Sequence, residues 1–283
     1  MKIKRVLDKI NEFFPMQTAM QGDRIGLQLQ SGLEEVSNIL ITMEVNGKVV
    51  DEAIANNCEL IISFHPLIFA PLTFVDESNR VGTLVTKLIQ NKIALITIHT
   101  NFDSYIEGTS KILSDKLGLI YDSFLVADPK IPNYGMGIIG HFETAVSEEL
   151  LLEKVKNICN SPLRFNRGSS KEIQKVAIVG GSGTSFMAEA LKNGVDAFIT
   201  ADVTYHRFHE VDGKMMLIDP GHYEMEQFVP VGLLEFFQNN FDKSEYGKIV
   251  LSQIRTNPVN YYPDGDSYEN AQNKYLINNY KWI

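Results

Sequence analysis

His222 and Glu226 stand four residues apart in the stretch LIDPGHYEMEQF. If a helix starts near Tyr223, both side chains project from one face, one turn apart. An imidazole nitrogen and a carboxylate oxygen so placed suit a borderline divalent ion such as zinc, manganese, iron or cobalt. The plain alternative is a solvated pair on a helix surface. Further polar residues stand at the tips of apolar runs: His65 directly after LIISF, and His99 and Asp103 in HTNFD after IALITI. Such side chains cost free energy at a buried strand end unless they are paired or bound to something. His65, Asp103, His222 and Glu226 are enough for one complete metal site and part of a second.

Other motifs keep two readings open. The turn Gly180-Gly181-Ser182-Gly183-Thr184-Ser185 joins a strand pattern to a helical one. Its backbone N–H groups would either cradle a phosphate or make a tight turn with a Ser or Thr N-cap. No Lys-Ser/Thr follows it, and Phe186 breaks the GxGxxG pattern, so it matches neither phosphate-loop fingerprint. Asp23-Arg24-Ile25-Gly26 is a polar island that would line a site or make a turn. Cys58 and Cys159 read as small apolar fillers.

The elements that must position these residues repeat along the chain. Asn38–Met43 reads as a buried strand, Gly47–Asn57 as a helix and Glu59–Ser63 as a second strand; Lys175–Val179, Phe186–Asn193 and Asp196–Thr200 follow the same order. In each half a third apolar strand runs into a histidine, Ile93–Ile98 into His99 and Met215–Ile218 through Asp219-Pro220-Gly221 into His222. Short Val/Ile/Leu strands alternating with helices predict an α/β protein of two related halves, with mostly parallel sheets covered by helices. Ligands of such sheets bind beyond the carboxyl ends of the strands, where these polar residues cluster.

The expected division is a first half over residues 1–127 carrying His65 and Asp103, then linker elements and a second half over 128–260 carrying His222 and Glu226, then a polar tail over 261–283. Pro129, Pro132, Gly135, Gly137 and Gly140 make residues 122–173 read as linker and peripheral elements. Val6, Leu7, Ile10, Phe13 and Phe14 recur at helical spacing near the start.

The composition narrows the function. Against 26 Lys and Arg stand 35 Asp and Glu, a net charge of −9, which argues against a sequence-independent grip on nucleic acid, since that grip needs cations to displace counterions from phosphates. Two isolated cysteines in 283 residues offer neither a disulfide framework nor a zinc knuckle, and a reducing cytoplasm fits them best. No apolar run approaches the roughly 20 residues of a membrane span. Charged Asp8, Lys9 and Glu12 interrupt what would be the apolar region of a signal peptide.

GDRIGLQLQSG, ELIISFHPLIF, HTNFD, VAIVGGSG, DAFITADVTYH and LIDPGHYEMEQF, in that order, resemble the GTP cyclohydrolase 1 type 2 homologs, the NIF-three-like family, over about Met1 to Tyr261. The stretch from Asp128 to Lys175 is too short for the extra domain of the longer members. The resemblance implies a NIF-three-like fold of two pseudo-twofold halves, a dinuclear metal site between them and a toroidal homohexamer. The metal residues it implies are His65, Asp103, His222 and Glu226, with one or two divalent ions per chain. Where the family has the first of two adjacent histidines, this chain has Phe64, which has no lone pair to donate. His99, His206 or water are the groups that would compensate.

The family name implies a hydrolase acting on a nucleotide or related small molecule through activated water, which a divalent ion supplies at neutral pH. His99 and Glu44 follow buried strands and match no implied ligand, which makes them the candidates for moving protons. The competing reading is a non-catalytic, ring-forming scaffold or metal-storage protein with a degenerate site, since fold and metal do not name a substrate. Elemental analysis of protein purified without chelators is expected to find fewer than two ions per chain, rising in the Phe64→His variant. Two full equivalents in the unaltered protein would show that the missing imidazole is compensated.

Overall fold

The computed structural model describes residues 1–261 and divides into two compact units. Unit one comprises Met1–Ile112, Ala127–Met136 and Gln227–Thr256; unit two comprises Leu113–Val126, Gly137–Glu226 and the chain from Asn257. The tail expected over 261–283 lies outside the described residues except for Tyr261. In chain order the strands are β1 Gly26–Leu29, β2 Asn38–Thr42, β3 Leu60–Ser63, β4 Ala94–Thr97, β5 Ile120–Ala127, β6 Gly135–Ser147, β7 Arg164–Phe165, β8 Glu172–Ile178, β9 Ala197–Ile199, β10 Met216–Asp219 and β11 Lys248–Leu251. The α-helices are α1 Ile3–Phe13, α2 Gly47–Ala55, α3 Arg80–Gln90, α4 Thr100–Asp103, α5 Thr109–Leu117, α6 Glu148–Cys159, α7 Met187–Lys192, α8 Tyr205–Val211, α9 His222–Glu226 and α10 Val229–Asn240.

Unit one is built on the sheet β1-β4-β3-β2-β11, parallel from β4 to β11 with β1 antiparallel at the edge. Every residue of β3 and β4 is buried, as expected for strands covered on both faces. Asn46 and Asn79 start α2 and α3 by accepting the backbone N–H of Val49 and Gly82 with their side chains. The amphipathic start of the chain is α1, which buries Ile3, Val6 and Ile10, and Phe14 beyond it meets Phe236 of α10 at 4.6 Å between ring centres.

Unit two is built on the sheet β5-β6-β8-β9-β10-β7. Its centre, β8-β9-β10, is parallel, while β6 and β7 flank it antiparallel, so this sheet is more mixed than the strand pattern predicts. The repeat is present in both units: β2-α2-β3-α3-β4 in one, β8-α7-β9-α8-β10 in the other. In each, the third strand leads into a short helix, α4 directly after His99 and α9 starting at His222.

Two features differ from the sequence reading. Residues 122–173 are not peripheral, because β6 and most of β5 are sheet strands. The glycines that read as breakers are there for close approach: a Cβ on Gly140 would lie 2.8 Å from the Ile120 carbonyl oxygen, and one on Gly137 would lie 3.4 Å from Leu125 Cβ. The chain also returns: β11 pairs with β2 in register Ile249 to Ile39, so residues Gln227–Thr256 belong to unit one although they follow the second repeat.

Among the described residues no helix is long and apolar enough to cross a membrane. Both cysteines are buried, and burial pushes the Cys58 thiol up to about 11 and the Cys159 thiol higher still. Neither is expected to react with a soluble thiol reagent until denaturant opens the fold. Rapid modification of the native protein would show that one of these walls opens locally.

Candidate metal centre

In unit one the parallel register does the assembling. Thr42 of β2 pairs with Ser63 of β3, and Ser63 with Thr97 of β4. Two residues beyond each of these aligned strand ends stand Glu44, His65 and His99. The strand-end hydroxyls hold the loops that follow: Thr42 Oγ1 donates to the Glu44 carbonyl at 3.1 Å, and Ser63 Oγ donates to the His65 carbonyl at 2.8 Å. Ser63 and Thr97 hydroxyls are themselves 3.0 Å apart.

The imidazoles gathered there are oriented by carboxylates. Glu44 Oε1 lies 3.1 Å from His65 Nδ1. Both Asp23 oxygens reach His99 Nδ1, at 2.9 and 3.0 Å, and Asp23 also accepts the Thr100 backbone N–H at 3.1 Å and the Thr100 hydroxyl. The pairing of β1 with β4 explains the reach: Gly26 lies opposite Thr97 and Leu27 opposite Ile96, and continuing that antiparallel register three residues outward puts Asp23 opposite Thr100. Burial by itself would raise the Asp23 pKa, but the hydrogen bonds from His99 and Thr100 overrule it and hold the carboxyl well below the usual range.

Asp103 ends α4, one turn beyond His99, where its nearly buried carboxylate accepts the Thr109 hydroxyl. Phe64 is fully buried, its ring 5.0 Å from that of His65 and 5.4 Å, edge-on, from that of His99. It therefore wedges the two imidazoles in place and donates nothing to a cation.

In unit two, His222 and Glu226 share one face of α9, as their spacing predicts, with His222 Nε2 3.1 Å from Glu226 Oε2. Asp202 holds the other nitrogen, its Oδ2 2.7 Å from His222 Nδ1. Burial lowers the His222 pKa, but the Glu226 charge and the Asp202 and Glu226 hydrogen bonds outweigh it and push the value up to about 11. A cation bound here takes the place of that proton. His206 sits on α8 with its ring 5.3 Å from that of Tyr205.

The glycine-rich turn lies against this pair. Gly181 has φ +60, and a Cβ built on it would come within 2.4 Å of Glu226 Oε1 and 3.1 Å of His222 Nε2. Thr200 Oγ1 donates to the Gly181 carbonyl and accepts the Gly183 N–H at 2.8 Å, so the turn is tied to the neighbouring strand end. The segment is a turn, but without the expected Ser or Thr cap, since neither Gly183 nor Phe186 at the helical starts that follow makes a side-chain cap bond; it keeps space beside an imidazole and a carboxylate. That space and that donor pair fit a divalent ion.

The sequence matches a family model described as Duf34/NIF3 (NGG1p interacting factor 3) over residues 1–258. The chain belongs to this family. It is 34% identical over 264 residues to the GTP cyclohydrolase 1 type 2 homolog of Lactococcus lactis, covering 91% of this chain and 98% of that one. The namesake from Streptococcus pneumoniae is 31% identical over 268 residues, covering 92% and 100%. Among solved structures, a Staphylococcus aureus hypothetical protein superposes with a TM-score of 0.82 at 26% identity, covering 92% of this chain and 99% of that one.

For this Duf34/NIF3 chain, the sequence picks out the histidines and Glu44, the latter in another role, but not the tie of Asp23 or Asp202 to an imidazole. In the sequence Asp23 reads as part of a polar island that lines a site or makes a turn, with no tie to His99, and Asp202 and Gly181 carry no role beside His222. The usable signal was the strand pairing itself, because carboxylates from other strand ends become neighbours only through register.

Gly181→Ala is expected to cut zinc or manganese retention at least tenfold. Gly194→Ala, at φ +62 with nothing within 4 Å of its Cβ, carries the same backbone strain and is expected to retain metal. Equal loss in both variants would assign the effect to strain. Asp23→Ala is expected to cost about 1–3 kcal/mol at neutral pH, through a buried hydrogen-bond network left unmade. Because the folded pKa of Asp23 is depressed, its contribution is complete above the ordinary carboxylate value and is lost as pH falls toward the folded value. The stability gap between variant and wild type in urea melts should therefore narrow in acid, whereas a gap constant into acid would show that the charge is not what Asp23 contributes.

Proposed function

We propose that this Duf34/NIF3 protein is a metal-dependent hydrolase acting on a nucleotide or a related small molecule. His65, Asp103, His222 and Glu226 are the residues assigned to hold one or two divalent ions. The observation that carries the reading is the His222–Glu226 pair, oriented by Asp202 and given space by Gly181. Metal-ligating imidazoles usually donate their other ring N–H to a carboxylate, as His222 does to Asp202, which directs the second nitrogen toward the cation. A divalent ion supplies the chemistry of such sites by acidifying water and polarising a carbonyl or phosphoryl oxygen.

The chain's own groups divide the remaining work. Glu44 was a candidate for moving protons, but its oxygen is on His65 Nδ1, and we assign it to orienting that imidazole. His99 is left as the group that takes a proton from the attacking water and returns it to the leaving atom. The names of the relatives support a purine nucleotide as the first substrate to try.

The test is turnover across a panel of nucleoside triphosphates, phosphoesters and amides, with protein freed of metal and then reloaded with zinc, manganese, iron or cobalt. Wild type is expected to turn over one of these only when reloaded, and His222→Ala and Glu226→Ala to lose metal and activity together. Metal bound at full occupancy with no turnover would favour the scaffold reading, which the full burial of Phe64 in place of an imidazole also supports. That reading commits to a homo-oligomeric ring, and its mass in solution decides it.

A further inference from the structure

Asp23 lies far from His99 in sequence, yet its carboxylate is only 4% exposed and both its oxygens meet His99 Nδ1. We propose that Asp23 is a positioning residue: it holds the His99 proton on Nδ1 and so presents a bare Nε2 lone pair as the proton acceptor. The proposal deepens the hydrolase reading and rests on it for the identity of the reaction.

Three features carry the assignment. The carboxylate is itself fixed, since Thr100 donates to it from backbone and hydroxyl, and those bonds follow from the β1–β4 register. A carboxylate accepts only, so the nitrogen facing it must carry hydrogen. The imidazole ring is fixed on another side by the edge-on Phe64 ring, which is fully buried, and its backbone N–H is held by Asn101 Oδ1 at 3.0 Å. His65 and His222 have the same arrangement, with Glu44 and Asp202 on Nδ1. Those two belong to the residues assigned to metal, and His141 is held the same way by Asp122 at 2.7 Å outside the site; in His99 the same orientation yields a base.

The proton balance closes within the dyad and the reactants. As water oxygen bonds to the electrophilic carbon or phosphorus, one O–H bond breaks and its proton moves to Nε2. The imidazolium so formed is stabilised by the Asp23 charge, which stays unprotonated. When the bond to the leaving nitrogen or oxygen breaks, the Nε2 proton moves to that atom.

The simpler role for Asp23 is structural, an acceptor that starts α4. Asp23→Asn separates the two, because the Asn carbonyl still accepts from Thr100 while its N–H₂ donates to Nδ1 and drives the proton to Nε2. The experiment is long-range proton–nitrogen correlation on the full-length, metal-free, nitrogen-15-labelled protein at a pH where imidazole is neutral, with His99 assigned from a His99→Gln variant. Wild type is expected to show His99 protonated on Nδ1, and Asp23→Asn to invert it to Nε2. A wild-type proton on Nε2, or no inversion in a folded Asp23→Asn variant, overturns the proposal and leaves Asp23 as a helix cap. A folded state is verified by thermal melting of the same samples, and Asp23→Glu, expected to keep the proton on Nδ1, is the rescue. Where the nucleotide panel gives turnover, kcat of Asp23→Asn should fall by about 10²-fold or more with KM little changed. A panel without turnover would remove the hydrolase reading while the tautomer result still decides the dyad.

Discussion

A carboxylate on Nδ1 of each site histidine is the interaction on which the polar architecture depends. An imidazole at the tip of an otherwise apolar strand is costly to bury and free to rotate unless one nitrogen is anchored. Glu44, Asp23 and Asp202 supply those anchors to His65, His99 and His222. Each anchor fixes a ring angle and places a hydrogen on Nδ1. The chemistry available to the site is set by these bonds more than by the histidines alone.

The anchors in turn need aligned strand ends. In unit one the hydroxyls of Thr42 and Ser63 tie down the loops carrying Glu44 and His65, and the β1–β4 register delivers Asp23. In unit two the equivalent layer is Ile178, Ile199 and Ile218, with Thr200 and Asp219 just beyond. Thr200 holds the Gly181 turn open, and Asp219 accepts the N–H groups of Val203 and Gly221 at 3.0 Å each, with Arg164 bridging to it. The buried carboxylate thus ties the β9 and β10 loops together, so that Asp202 and His222 meet. The two units solve the same problem with different residues, which is why the repeat is clear in pattern and faint in identity.

Phe64 is a core side chain set among site imidazoles. Its fully buried ring packs edge-on against His99 and adds to the core, and it offers no lone pair to a cation.

Much of this protein was legible in its sequence because local rules acted on local patterns. All-apolar runs became strands buried on both faces, and four-residue spacing put His222 and Glu226 on one face of α9. The polar residues at strand tips marked the site for the same reason, since an uncompensated polar group rarely ends an apolar strand without purpose. What only the tertiary structure decided were the pairings between distant segments: Asp23 with His99, Asp202 with His222, the Gly181 cradle, and the return of β11 to β2. Strand register carries no local mark, because a hydrogen-bonded ladder uses backbone groups that every residue shares. It is chosen by the burial of whole faces, and only once it is chosen do residues far apart in the chain become partners.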